Sequence, residues 1–265
     1  MILHDHLGRR VDVPDQPARI VSLCPSQTET LFELGAGAQV VGVTNWCIHP
    51  DEARSKTAVG GTKKVNLQRL HALKPDLILA EKEEQTRELV EALAAHYPVY
   101  VTDVRSLSGA RTMITDLGQI LGRTDQAAKM VQDIDSHWRR LAGLAGGRKV
   151  LYFIWQEPYM VVGSDTYIHD VLTHLGFRNL AATTWQERYP SASVEALQQL
   201  QPDLVFLSSE PYRYTEEHVA QYRQLFPAAK VLWVDGEMFS WYGSRMRKAA
   251  EYLHGLISGL GIPGT

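Results

Sequence analysis

Apolar positions in this chain follow two patterns. Short runs of branched and aromatic residues occur at "RIVSL" (19–23), "VVGVT" (40–44), "DLILA" (76–80), "VYVTD" (99–103), "KVLYFIW" (149–155), "DLVFL" (203–207) and "VLWVD" (231–235). Their length and composition predict strands buried on both faces. Between them, apolar residues recur every three or four positions, the spacing of a helix with one buried stripe. Strands alternating with helices predict mostly parallel sheets, whose ligands sit beyond the carboxyl ends of the strands.

The pattern repeats. "NLQRLHALKPDLILA" (66–80) aligns without gaps on "SVEALQQLQPDLVFL" (193–207), each a short helix, a Pro-Asp turn and a strand. "VYVTD" is echoed by "VLWVD". Two copies of one α/β unit predict two similar lobes rather than a single sheet. The expected division is an α/β lobe over 1–107, a helical connector over 108–147 and a second α/β lobe over 148–265.

In the connector, Ala127, Met130, Val131, Ile134, Trp138 and Leu141 form a stripe that predicts one long helix, started by Thr124 or Asp125 and ended near Gly143 or Gly146. In the first lobe, Ser26 followed by Glu29 reads as a capping box before a helix over 29–34. In the second, Ser164 or Asp165 is expected to start a helix that Gly176 ends. The tail from Ser244 reads as a closing amphipathic helix.

Composition narrows the function classes. A net charge of −3 and a pI near 6.4 give no nucleic-acid footprint. Two cysteines, Cys24 and Cys47, demand no disulfide framework. No apolar run approaches membrane-span length. The amino terminus lacks a basic region, an apolar stretch and a small-residue cleavage site, so the sequence as written reads as cytoplasmic. A periplasmic or surface-anchored protein is the reading if an export signal has been replaced.

Catalytic motifs are missing: there is no Walker A loop, G-x-S-x-G elbow, H-E-x-x-H or C-x-x-C. His4 and His6 read as part of an exposed edge strand. What stands out is a set of aromatic and polar loops at predicted strand ends: "NWCIHP", "VGGTKK", "EKEEQ", "WQEPYM", "TTWQERYP", "SSEPYRY" and "DGEMFSWYGSR". Trp46, Trp155, Trp185 and Trp241, four of the six tryptophans, fall in them. Aromatic side chains gathered at ligand ends suit the wall of a binding site. Cys47 and His49 are too few to hold a bare ion, which needs three or four ligands. They stay open between core packing and one axial bond to a metal already held in a macrocycle. "VGGTKK" reads either as an ordinary glycine turn or as backbone N–H groups with Lys63 offered to an anion.

"RIVSLCPSQTETLFELGAGAQVVGVT", the two helix–Pro-Asp–strand copies and the long central helix together resemble the class III substrate-binding proteins of ABC importers. This is the helical-backbone metal-receptor superfamily that binds vitamin B12, haem and ferric siderophores. The resemblance implies two Rossmann-like α/β lobes joined by one long α-helix, with a ligand cleft between the lobes. It implies a non-enzymatic binder with no resident cofactor, the ligand carrying the metal. The cobalamin-binding members are the most similar, so the expected ligand is a cobalt corrinoid, with an iron chelate such as haem or a ferric siderophore as the alternative. Trp46, His49 and Lys63 are the first-lobe candidates for contact. Trp155, Tyr159, Trp185, Tyr189, Glu237, Trp241 and Arg245 are those of the second, with Cys47 or His49 as an axial ligand. A siderophore would call on Lys63, Arg188, Arg213 and Arg245 together. A third reading, an enzyme on this scaffold, would call on Cys47, His49, Glu81, Asp235 and Glu237. In importer-coupled relatives a glutamate on each lobe docks onto the permease; Glu195 matches one position, and Gln68 stands at the other. The chain is expected to be a monomer.

Overall fold

A computed structural model describes residues 1–261. The chain divides into two compact units. The first holds Met1–Val104, Ser108–Ile134 and Tyr242–Arg245; the second holds Arg105–Leu107, Asp135–Trp241 and the chain from Met246 onward. The helical connector expected over 108–147 is not a body of its own. The division falls within one helix, between Ile134 and Asp135.

The first unit opens with a hairpin, β1 (Ile2–His4) and β2 (Arg10–Asp12). Its main sheet is parallel throughout, in the order β5-β4-β3-β6-β7. The strands are β3 (Ile20–Ser22), β4 (Val40–Val43), β5 (Thr57–Ala58), β6 (Leu77–Glu81) and β7 (Val99–Thr102). The helices are α1 (Pro25–Glu33), α2 (Leu67–Ala72), α3 (Arg87–Ala94), α4 (Leu107–Ile120) and α5 (Thr124–Arg139). Val21, Ile78, Ala80, Val99 and Val101 meet Leu70, Val90 and Leu93 in a closed core. The strands are apolar on both faces, as a parallel sheet covered by helices requires. α5 starts at Thr124 as its sequence indicates and stops at Arg139; Ala127, Met130, Ile134 and Trp138 are buried along it.

The second unit has β8 (Lys149–Trp155), β9 (Met160–Val161), β10 (Arg178–Asn179), β11 (Leu204–Ser208) and β12 (Lys230–Val234). The parallel order is β10-β8-β11-β12, with β9 antiparallel on β8. Its helices are α6 (Tyr167–His174), α7 (Leu180–Thr184), α8 (Val194–Gln199), α9 (Glu216–Leu225), α10 (Glu237–Ser240) and α11 (Met246–Ser258). Phe153, Val205, Leu207 and Tyr222 anchor its core.

The internal echo has a common physical cause. Lys74 and Gln201 both take positive φ, 46° and 49°, and so end α2 and α8 at equivalent points. Asp76 then accepts from the backbone N–H groups of Ala18 (2.8 Å) and Arg19 (2.9 Å) just before β3. Asp203 accepts from the N–H of Lys149 (2.8 Å) at the start of β8. The Pro-Asp turn thus seats each copy's strand, β6 or β11, beside β3 or β8 of its own unit.

Two predicted helix starts are corrected. α1 begins at Pro25 with Cys24 as a cap that makes no side-chain bond. Ser26 and Glu29 lie buried inside the helix, because Glu29 is held in an ion pair rather than turned back to the chain end. α6 is capped by Thr166, whose hydroxyl accepts from His169 N, and not by Ser164 or Asp165. His4 lies on an exposed edge strand, as expected; His6 lies past the end of that strand, half-buried and bonded to Asp116 (2.9 Å).

Candidate functional site

The parallel sheets direct all carboxyl ends of their strands to one edge of each unit, and the loops singled out in the sequence hang from those ends.

In the first unit, β4 ends at Val43 and the chain turns through Thr44 to Trp46. Trp46 is 63% exposed. Cys47, next in the chain, points the other way. It is 2% exposed, and its sulfur meets the hydroxyls of Thr28 (3.1 Å) and Thr44 (3.2 Å). Burial pushes its thiol pKa up. Cys47 is therefore an enclosed, protonated thiol; as an axial ligand or nucleophile it is corrected to a core residue. His49 is half-buried on the following turn. Among the described residues no group of three His, Cys, Asp or Glu side chains is placed to hold an ion. Lys63 donates to the carbonyl of Glu83 (2.8 Å) across the strand-end rim.

Beside it lies a buried acidic turn, which the sequence presents as a polar loop with Glu81 a candidate for the enzyme reading alone. Glu81, the last residue of β6, is 3% exposed and accepts from the backbone N–H groups of Glu83 (2.7 Å) and Glu84 (3.3 Å). Burial, reinforced by the charges of Glu83 and Glu84, pushes its pKa up to about 7. Burial also raises that of Glu84. Cys24 and Tyr242 meet nearby, sulfur to phenol oxygen 3.6 Å apart, and burial first raises both well above their ordinary values. An apolar run ending in Glu is the one local signal that pointed to this turn.

Arg245 is the second correction. It is 3% exposed and donates to both carboxylate oxygens of Glu29, at 2.7 and 2.9 Å. A guanidinium used in this way is a bolt within the first unit and not a ligand contact.

In the second unit, Trp155 ends β8 and is 41% exposed. Its ring packs edge-on against Tyr212 from the loop after β11, centroids 5.5 Å apart. Tyr212 was not among the sequence candidates. Tyr159 and Trp185 are half-buried against the core of the unit. Tyr189 is half-buried, with the Arg188 guanidinium over its ring at 5.6 Å. Arg188 also donates to the carbonyl of Asp165 (2.7 Å). The loop after β12 carries Glu237, half-buried, and Trp241, which is 9% exposed and donates its indole N–H to Glu210 (3.1 Å). Trp241 is less open than its place in a loop suggested, and the half-buried Glu210 carboxylate holds it.

The two copies of the helix–turn–strand unit carry Gln68 and Glu195 at the second helical residue, both exposed.

A family model for periplasmic binding proteins matches residues 20–231. The chain belongs to the periplasmic binding protein family. Among curated members, a vitamin B12-binding protein of Pectobacterium carotovorum is 26% identical over 255 residues, covering 94% of this chain and 91% of its own. A periplasmic heme-binding protein from Pseudomonas aeruginosa has the same fold, with a TM-score of 0.79, 24% identity and 94% of each chain covered. The molybdate-binding protein MolA of Haemophilus influenzae has a TM-score of 0.79 at 19% identity, covering 98% of this chain and 92% of its own. These periplasmic binding proteins share one architecture and differ in what their names say they bind, so the fold leaves the ligand to the loops.

Proposed function

We propose that this chain is a non-enzymatic binding protein for a metal chelate of the corrinoid class, serving an ABC importer. The observation that carries the reading is a contrast at the strand ends. Large indole faces stand open there, Trp46 at 63% and Trp155 at 41% exposure, while three of the four cations that an anionic chelate would call on, all but the exposed Arg213, are already engaged. Arg245 is bound to Glu29, Lys63 to a backbone carbonyl, and Arg188 to Asp165. Carboxyl groups, the buried Glu81 and half-buried Glu84 in one unit and the half-buried Glu210 in the other, complete the rims. Such rims suit a flat, amide-rich ligand, which offers area for stacking and neutral partners for hydrogen bonds. A polyanionic catecholate siderophore, or the propionates of haem, would meet like charge there. The similarity to a vitamin B12-binding protein supports the same choice.

The axial-ligand reading narrows to His49, since the Cys47 thiol is enclosed. Delivery to a permease is proposed through the exposed faces bearing Glu195 and Gln68, with one charge fewer than a paired-glutamate arrangement provides. That role places the chain outside the cytoplasm.

The test is a titration of the purified protein with cyanocobalamin, haemin, and ferric catecholate and hydroxamate siderophores, read by visible absorption and native mass spectrometry. A 1:1 complex with the corrinoid at micromolar concentration or below, and weaker binding of the anionic chelates, is the expected result. Preference for a ferric siderophore would overturn the corrinoid assignment. Turnover of the bound compound would overturn the binding role.

A further inference from the structure

The short turn at α10 is held to the second unit at several points. Asp235 N donates to the phenol oxygen of Tyr252 (2.9 Å) and Gly236 N to the hydroxyl of Ser209 (2.8 Å). At its far end, the Ser240 hydroxyl (2.6 Å) and the Trp241 indole N–H (3.1 Å) converge on a single carboxylate oxygen, that of Glu210. Glu210 comes from the loop after β11, so one side chain ties two strand-end loops together. The fit is close. A Cβ on Gly236 would stand 2.5 Å from Glu210 Cγ and 2.5 Å from Ser208 Oγ, so a glycine is required there for Glu210 to lie beneath the turn.

The choice of a carboxylate is costly. Burial pushes the Glu210 pKa up, and the charges of Glu237 and Asp235 push in the same direction. A glutamine would supply an acceptor oxygen without that repulsion. What an ionised carboxylate adds is strength: charge-assisted hydrogen bonds are roughly twice as strong as neutral ones. An indole held at 9% exposure by such a bond is fixed before any ligand arrives.

We propose that Glu210 is a positioning residue for ligand recognition, holding the Trp241 ring and the Glu237–Ser240 turn in the arrangement that meets the ligand. This rests on the reading of the loop after β12 as part of the ligand-binding surface. Glu210 itself acts through Trp241. The consequence is a preformed contact, so the ligand does not bear the ordering of that loop.

Two measurements test it. The first needs no ligand. In ¹H–¹⁵N spectra, the side-chain resonance lost in Trp241→Phe identifies the Trp241 indole. It should move and exchange faster with solvent in Glu210→Ala, and remain near its wild-type position in Glu210→Gln, which keeps an acceptor oxygen. The second is a double-mutant cycle with cyanocobalamin as the probe and haemin in parallel. Glu210→Ala should weaken binding about tenfold and Glu210→Gln about threefold or less. In a Trp241→Phe background, Glu210→Ala should cost about twofold or less. An unchanged indole resonance in Glu210→Ala, or fully additive losses in the cycle, overturns the proposal. If the wild type binds neither probe, the functional reading falls, and the indole resonance alone decides whether Glu210 positions Trp241.

Discussion

The Arg245 guanidinium and the Glu29 carboxylate face each other with two hydrogen bonds, 2.7 and 2.9 Å, and with side-chain exposures of only 4% and 6%. The pair joins α1 to a four-residue segment, Tyr242–Arg245, that is far away in sequence and belongs to the first unit. Within that segment Gly243 has φ of 81° and lies so close to Thr30 that a Cβ would collide with its hydroxyl.

Removing one partner of this pair strands a charge in the interior. Glu29→Ala or Arg245→Ala should lower stability by about 3–5 kcal/mol in urea unfolding. The double change Glu29→Leu with Arg245→Met should recover most of that loss, because the cost lies in the uncompensated charge. A single variant that unfolds at the wild-type midpoint would refute the assignment of Arg245 as a structural residue.

The Pro-Asp turns differ in what their aspartates hold. Asp76 caps two backbone N–H groups and Asp203 one. Asp76→Ala should cost about 1–3 kcal/mol, and Asp203→Ala roughly half as much. Equal losses would show that the extra bond to Ala18 contributes nothing measurable.

Glu81 predicts a dependence on pH. Its folded pKa of about 7 lies above the ordinary 4.5, so between these values the folded chain keeps a proton that the unfolded chain releases. Stability should therefore fall as pH rises through this window and level off above it. The contribution is on the order of 3 kcal/mol. Glu84, raised by burial, faces the same turn and adds to the slope. Glu81→Gln keeps the acceptor for Glu83 N and should flatten the decline. Parallel stability profiles for wild type and variant from pH 5 to 8 would exclude Glu81 as its source.

Trp46 and Cys47 are neighbours with opposite duties. Trp46→Ala should leave stability within about 0.5 kcal/mol, since the ring is mostly exposed, yet weaken corrinoid binding about tenfold or more. Cys47→Ser should do the reverse, costing stability and sparing affinity, because its sulfur packs against Thr28 and Thr44. Calorimetric melting and ligand titration of both variants separate the two roles. Equal affinity loss in both would return Cys47 to the binding surface.

The strands were legible because their signal is local. "KVLYFIW" predicts β8 residue for residue, and the paired "PDLILA" and "PDLVFL" segments give β6 and β11 to within a residue. A strand buried on both faces must be apolar throughout, and that requirement shows in a short window. The strand-end loops were legible for the same reason: once parallel strands are inferred, their carboxyl ends follow. Trp46 and Trp155 stand exposed where that inference put aromatic side chains.

Tertiary structure decided which polar residues in those loops are free to act. Arg245 looks like a ligand contact because the resemblance makes "DGEMFSWYGSR" a ligand loop; its partner, Glu29, lies more than two hundred residues away. Cys47 beside Trp46 stays open in the sequence between core packing and an axial bond, and it is the hydroxyls of Thr28 and Thr44 that enclose it. Glu81 and Glu210 read as members of polar loops until the fold buries the one and half-buries the other. Apolar periodicity is written along the chain, since each element carries its own buried stripe. The partner of a buried charge is chosen by the packing of distant segments, and desolvation, which sets its pKa and its duty, exists only once they have packed.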